Sequence, residues 1–368
     1  MKYRDNELYH ELALDDSGTK LIDLSFNDPL SALTFQFLGV NGGSHNKSNW
    51  MNDVITKIEL VDGSDVLCSV SLKELQALHA YQTAQLPYIN FEEGASKGGR
   101  DEATLFFGRW LWDTEYFMDL TKFSNPQLKI TTDEDVIRAM GATGFLSDSF
   151  KVSLVAHIIQ EDGLVSKGFF MNKEIYNFTS GTSGNEYIEL PRDYPISGLM
   201  INSTIKQSNI NELVDTVKLS CDSDKFVPLD RYVHDLLREY EHAHPPFDMR
   251  CVFYRAGDEE PQFPLYYNPR ANLLTSAKGN IAASGWQWSG NMNLMLVDDA
   301  GAAAAAQQVW AHIIGTSPHC SMLHRFGVKN DPTTYFDPTL WKKVELILHQ
   351  AAAGAVKVTL QQMRPLAA

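Results

Sequence analysis

Short runs in which apolar residues alternate with polar ones, or continue unbroken for four to nine positions, dominate the chain. In the N-terminal part they are Lys20–Ser25, Ala32–Leu38, Val54–Val61, Val66–Val70, Thr104–Trp112, Gln127–Thr132 and Lys151–Ile159. In the C-terminal part they are Tyr187–Leu190, Gly198–Asn202, Val214–Ser220, Met249–Tyr254, Asn293–Val297, Lys343–His349 and Val356–Gln361. Their enrichment in β-branched and aromatic residues is that of half-buried strands. Asp62-Gly63-Ser64 between two such runs predicts a tight hairpin turn. Helical patterns are expected over Ser71–Gln85, Leu229–His242 and the Ala-rich stretch Gly301–Ile314.

The pattern repeats. Residues 21–35 and 187–201, offset by 166, share Ile22/Ile188, Leu24/Leu190, Pro29/Pro195, Ser31/Ser197 and Leu33/Leu199. Val54–Cys68 then matches Leu213–Val227 at an offset of 159, and both copies run on into a helical pattern. Leu128-Lys-Ile is matched with Leu294-Met-Leu, and Lys151-Val-Ser-Leu with Lys357-Val-Thr-Leu. Four blocks in one order indicate two copies of one domain.

Seven or eight short strands per copy, long connections and few helices predict an all-β chain. The expected architecture is two tandem eight-stranded jelly-roll β-sandwiches, a double jelly roll, with a few short helices in loops. A doubly wound α/β fold would need a regular strand–helix alternation that the sequence lacks. The expected divisions are an N-terminal arm over 1–19, polar and suited to a helical turn or two, and a first jelly roll over 20–165. A linker rich in Gly, Ser and Thr over 166–184 would then lead to a second jelly roll over 185–368, carrying an insertion at 300–337.

Composition narrows the function. The 368 residues suffice for two domains, and 44% hydrophobic with 21% charged residues is ordinary for a globular protein. Asp and Glu outnumber Lys and Arg by 46 to 31, the opposite of what gripping nucleic-acid phosphates requires, and no dense basic cluster occurs. No apolar run approaches the ~20 residues of a membrane helix. The start, Met1 to Leu8, has no apolar core of a secretory signal, so synthesis inside the cell is expected. Cys68, Cys221, Cys251 and Cys320 form no CxxC pair and read as buried thiols. The glycosylation-type triplets at Asn46, Asn177 and Asn202 read as accidents of composition.

Candidate chemistry is sparse. Gly42-Gly43 and Ser180–Gly184 lack the Lys-Ser/Thr of a phosphate loop. His242, His244, His312, His319, His324 and His349 offer no HExxH or other ligand spacing. Asp113 with Glu115, or Asp258 with Glu259 and Glu260, are indistinguishable from turn acids, and no Gly-x-Ser-x-Gly elbow occurs. No catalytic, cofactor-binding or metal-ligating residue is therefore assigned. Aromatic runs are the visible feature. Trp110 and Trp112 are expected on one strand face, and Trp286 with Trp288 on another. Such pairs serve a core, a subunit contact or a sugar platform.

A tandem jelly-roll chain of this size, acidic and without an active-site motif, resembles the double jelly-roll major capsid proteins of tailless icosahedral double-stranded DNA viruses, the adenovirus-like lineage. The segments Ile58-Glu-Leu-Val-Asp-Gly-Ser, Phe107-Gly-Arg through Tyr116, and Asn125-Pro-Gln-Leu-Lys-Ile carry the flavour of its bacteriophage members. The resemblance implies a non-enzymatic virion protein, made in the host cytoplasm, that homotrimerises into pseudo-hexagonal capsomers. Neighbouring capsomers, penton and minor capsid proteins would be its partners, with an internal membrane or protein layer between an acidic shell and the genome and no sequence-specific nucleic-acid binding. Subunit contacts are expected at Trp110, Trp112, Phe263, Tyr266, Tyr267, Trp286 and Trp288, and capsid towers from 242–290 and 300–337. Two other readings stay open: a carbohydrate-binding or glycan-processing double β-sandwich, and a trimeric phage receptor-binding protein.

Overall fold

The computed structural model describes residues 2–43, 46, 50–90, 94–135, 144–161, 163–204, 209–243, 247–255, 262–264, 267–276, 282–288, 291–297 and 307–366. The first half contains β1 (Tyr3–Ala13), β2 (Ser17–Asp23), β3 (Pro29–Val40), α1 (Met51–Val54), β4 (Ile55–Asp62), β5 (Asp65–Val70) and α2 (Leu72–Thr83). It continues with β6 (Ile89–Asn90), β7 (Gly98–Phe106), β8 (Met118–Asp119), β9 (Pro126–Asp133) and β10 (Lys151–Ile159). The second half has β11 (Gly168–Ser180), β12 (Asn185–Glu189), β13 (Ile196–Ser203), α3 (Ile210–Leu213), β14 (Val214–Cys221), β15 (Phe226–Tyr232) and α4 (Val233–Ala243). After an insertion it closes with β22 (Ser321–Arg325), β23 (Val344–Gln350) and β24 (Gly354–Pro365).

Each half is a sandwich of two sheets with the same wiring. The first pairs β1-β10-β3-β7 on one side and β2-β9-β4-β5 on the other; the second pairs β11-β24-β13-β22 and β12-β23-β14-β15. Strand alternation fills the space between. Val152, Leu154, Ala156 and Ile158 of β10 enter the first core, and Val356, Val358 and Leu360 of β24 the second. The Asp62–Ser64 hairpin forms as expected, with Gly63 at φ +60° supplying the conformation the two-residue turn demands.

Register identifies equivalent residues. Leu128 of β9 lies opposite both Ile22 and Leu60, while Leu346 of β23 lies opposite Ile188 and Leu219. The counterpart of β9 is therefore β23, at an offset of 218, and not the strand around Leu294. A three-residue match carries too little information to choose between two apolar strands. The true block runs further. Asp119 and Asp337 cap equivalent 3-10 turns through Thr121 and Thr339, and Leu30 bridges Met118 as Ile196 bridges Phe336.

Four other expectations are corrected. Residues 3–13 form no helical arm: they are β1, laid antiparallel on β10, where polar side chains suit an exposed edge strand. The expected linker is mostly strand β11, which pairs with β24 along its length and meets β5 at Lys173 and Ser69. Both segments take the same place in their sandwiches, so the duplication includes them. The excess chain of the second half is residues 244–320, between α4 and β22, where the first half has only 84–97. It folds as two three-stranded antiparallel sheets. One has the order β16 (Phe247–Arg255), β21 (Gln307–Pro318), β18 (Tyr267–Ser276), and the other β17 (Gln262–Pro264), β20 (Asn291–Val297), β19 (Ala282–Trp288). The helix expected over Gly301–Ile314 is strand from Gln307 onward, because ladders on both sides of β21 outweigh the local helix propensity of alanine; residues 301–306 lie outside the described residues.

Candidate assembly interface

Strand β7 ends at Phe106, so Trp110 and Trp112 do not share a strand face: both lie in the turn that follows. Phe107 N–H donates to Ser31 O, as Phe326 N–H donates to Ser197 O in the second half, which turns the chain sharply out of the sheet. The following glycines are forced. A Cβ on Gly108 would stand 2.5 Å from Tyr116 O, and one on Gly327, at φ +74°, 2.2 Å from Thr334 O. In the first half this turn presents Arg109. Its guanidinium donates to Asp113 at 2.7 and 2.9 Å and to Glu115 at 2.6 Å, between the rings of Trp110 and Tyr116, whose centroids lie 4.4 and 4.7 Å away. Its hydrogen bonds to the Asp113 carboxylate hold Arg109 well above the ordinary arginine range. Burial pushes Asp113 up, but Arg109 and the backbone amides outweigh it and leave the carboxyl below the usual range. Asp113 and Glu115 thus brace a turn. Trp110 remains 47% exposed. Trp112, at φ +68°, donates its N–H to Ser31 Oγ and packs its ring on Tyr3 at 4.7 Å.

The two halves meet through helix α2. Ser71 and Glu74 form a capping box at its start, and it ends at Ala84 with φ +60°. Glu74, Gln76 and Tyr81 are buried alongside its apolar residues because α2 has protein on two sides. Its own sandwich covers one side, and the outward face of β11-β24-β13-β22 covers the other. Met171, Met200 and Leu323 reach from that face into the first core. Lys357, Thr359 and Gln361 alternate with the β24 core residues and point the same way. Thr359 donates its hydroxyl to Glu74, whose carboxylate also lies 3.7 Å from Lys357 Nζ, while Lys357 pairs with Glu174 at 2.6 Å. Burial pulls Lys357 down, but Glu74 and Glu174 outweigh it and hold the ammonium above its ordinary range. Tyr81 donates to Ser321 O at 2.8 Å, Arg325 donates to Tyr81 O at 3.1 Å, and Arg364 pairs with Asp65 at 2.6 Å.

The outward face of the first sheet, β1-β10-β3-β7, carries a matching polar set. Lys151 pairs with Glu11 at 3.0 Å, and Glu11 N–H donates to Ser153 Oγ at 2.9 Å. Higher on the face, Thr34 Oγ1 meets Thr104 Oγ1 at 2.9 Å and His157 Nε2 at 2.8 Å, and His157 Nδ1 lies 2.6 Å from Asp5 Oδ1. Trp112 stands edge-on to His157 at 5.7 Å.

The other aromatic candidates lie in the insertion. Phe263 is in β17, Tyr267 begins β18, and Trp286 and Trp288 stand opposite Asn293 and Asn291 in the β19–β20 ladder. Tyr266 lies outside the described residues, as does His244. Among the described residues no three His, Cys, Asp or Glu side chains gather as metal ligands would. His312 sits 2.9 Å from Asp248, and His319 is buried, its pKa pulled down to about 3 by desolvation. His324, also desolvated to about 4, packs on Phe326. Cys68, Cys221 and Cys320 are buried thiols, and burial pushes Cys68 up to about 12.

No protein-family model matches the chain, and no curated protein matches it. Solved structures do. The STIV MCP, from Sulfolobus Turreted Icosahedral Virus, superposes with a TM-score of 0.61 at 12% identity, over 99% of this chain and 96% of that one. The major capsid protein P2 of bacteriophage PM2 gives 0.55 at 10% identity, over 100% and 98%. VP54 of PBCV-1 gives 0.59 at 10% identity, over 98% and 93%. At these identities the likeness establishes the fold: the chain is a double jelly roll.

Proposed function

We propose that this protein is the major capsid protein of an icosahedral virus, acting as a structural subunit of the virion without enzymatic activity. Three copies, each supplying two equivalent sandwiches, make a pseudo-hexagonal block that tiles the shell. The observation that carries this reading is the junction through α2. It joins a helix-bearing edge of one sandwich to the outer sheet face of its equivalent, and such a head-to-tail contact between like units propagates into a ring when the rotation closes. The near-full-length superposition on the STIV MCP and on the major capsid protein P2 of bacteriophage PM2 supports the same reading. The insertion 244–320 is the capsid tower, and Trp286, Trp288, Phe263, Tyr266 and Tyr267 within it are assigned to contacts around the tower. Exposed Trp110 and the Trp112–Tyr3 pair are assigned to contacts at the rim of the first sheet. The net charge of −15 favours a membrane or protein layer between shell and genome; cryo-EM of virions with genome density directly against the shell would remove that part.

Light scattering on the purified chain tests the assembly. A particle of about 124 kDa, three times the 41.3 kDa chain, is expected. A monomer at every concentration overturns the reading.

A further inference from the structure

Within one chain the junction between halves uses two surfaces, and each has an unused equivalent. The helix side is α2 with Glu74 at its third position; the second half offers α4, with Asp235 at its third position. The receiving side is the trio Lys357, Thr359 and Glu174; the first half offers Lys151, Ser153 and Glu11. That equivalence is positional. Lys151-Val-Ser-Leu in β10 matches Lys357-Val-Thr-Leu in β24, and in both strands the lysine and hydroxyl residues alternate with core residues. Glu174 lies opposite Thr359 in the ladder, and Glu11 hydrogen-bonds through its backbone to Ser153. Each lysine holds the glutamate of its own neighbouring strand, Lys357 with Glu174 and Lys151 with Glu11.

One trio is closed by a helix carboxylate and the other is not. Glu74 seals Lys357 and Thr359, and the Lys357 side chain is 21% exposed; the Lys151 side chain, with no helix above it among the described residues, is 40% exposed. Helix α4 packs its Val233, Leu236 and Leu237 into the second core and turns His234, Arg238 and Glu239 to the outside.

Resting on the capsid reading above, we infer that α4 of one subunit docks on the β1-β10-β3-β7 face of a second copy, and that Asp235 takes toward Lys151 and Ser153 the place that Glu74 takes toward Lys357 and Thr359. The occupant is a second copy of this chain because the helix, its acid and the receiving lysine are all supplied by the duplicated unit. Three such contacts alternate with three internal junctions around the ring. The Thr34–Thr104–His157–Asp5 cluster lies on the same face and comes under the neighbour's β15–α4 edge.

Charge reversal tests the pairing, read as the concentration at which the assembly dissociates in light scattering. Asp235→Lys and Lys151→Glu are each expected to raise that concentration at least tenfold, and the double variant to return it to within a few fold of the parent. Because Lys151 also holds Glu11, Asp235→Ala is the second probe, expected to weaken assembly while its far-ultraviolet circular dichroism stays that of the parent. A trimeric parent whose Asp235 variants assemble as tightly overturns this pairing while leaving the capsid reading standing. Failure of the double variant to recover does the same. A monomeric parent overturns the capsid reading itself.

Discussion

Asp62 and Asp222 hold the same place in the two halves, each accepting hydrogen bonds from two consecutive backbone amides at the mouth of the neighbouring strand. Asp62 takes those of Ser124 and Asn125 before β9, and Asp222 those of Lys342 and Lys343 before β23. A carboxylate can satisfy both amides, and its charge strengthens the two hydrogen bonds.

Replacing either aspartate by alanine should therefore destabilise the chain, by about 1–3 kcal/mol for lost hydrogen bonds to a charged group. The two should differ. Asp222 sits at φ +47°, so Asp222→Ala adds about 1 kcal/mol of left-handed strain that Asp62→Ala does not. Urea unfolding of both variants, with Asp222→Gly as the strain-free control, measures the difference. Equal losses at the two sites would remove the conformational part of the argument.

The Phe-Gly turns make a second paired test. Gly108→Ala drives a methyl into Tyr116 O and the Asp113 side chain, and Gly327→Ala drives one into Thr334 O at a positive φ. In both cases backbone blocks the methyl, so the loop must move. We expect losses of about 2–4 kcal/mol at each site, beyond the usual ~1 kcal/mol centre for point changes. Near-ultraviolet circular dichroism should change only for Gly108→Ala beyond what unfolding explains, because that turn sets Trp110 on Arg109 and Trp112 against Tyr3.

Much of this was legible in the sequence, and the misses share a cause. Strands such as β3, β4, β10 and β24 announce themselves because one face is apolar and the period is two. The repeat was visible where both copies bury the same residues, as with Ile22 and Ile188 or Leu60 and Leu219. It was lost where the constraint is on backbone: Asp119/Asp337, Asp62/Asp222 and Gly108/Gly327 mark equivalent turns, yet each is a single polar or glycine residue amid dissimilar neighbours. Strand β1 was missed because it is an exposed edge with little apolar alternation, and β11 because Gly, Ser and Thr flank it. Trp112 followed strand residues closely enough to pass for one, and only its positive φ and the bend at Gly108 take it off the sheet. The junction around Glu74 was hidden for another reason. A glutamate at the third position of a helix has a sufficient local role in the capping box, and nothing local shows that Thr359 and Lys357 come to meet it.

Asp101 predicts the pH dependence of stability. It lies in β7, 5% exposed, and burial pushes its carboxyl from 3.8 up to about 7, with Gln76 lowering it and nearby Asp53 raising it further. The folded pKa is raised, so the folded chain holds this proton more tightly than the unfolded one. That contribution is fully present below pH 3.8 and declines as pH rises to about 7, after which it is lost. Asp101→Asn mimics the protonated form at every pH. Its unfolding free energy in urea should match the parent near pH 4 and exceed it increasingly up to pH 7, levelling off at about 2–4 kcal/mol. A pH-independent difference would show that Asp101 does not titrate in this range.

Glu74 decides how firmly the two sandwiches are fastened. Its carboxylate is fully buried and receives the Ser71 amide and hydroxyl, both at 2.8 Å, together with the Thr359 hydroxyl from the other half. Lys357 is the counter-charge, itself shared with Glu174. Removing one member of a buried, hydrogen-bonded charge set costs more than the set contributes, because the partners stay buried without it. Glu74→Ala should lose about 3–5 kcal/mol. Glu74→Gln keeps the shape and an acceptor for the helix cap, so a loss of about 1–2 kcal/mol is expected. Thr359→Val removes only the hydroxyl. In a double-mutant cycle between Glu74→Gln and Thr359→Val, a coupling of about 0.5–3 kcal/mol should appear in chemical unfolding. Strict additivity would mean that Glu74 and Thr359 serve the helix cap without joining the sandwiches, which would then be held by the apolar contacts at Met171, Met200 and Leu323 and by the Tyr81, Arg325 and Arg364 links.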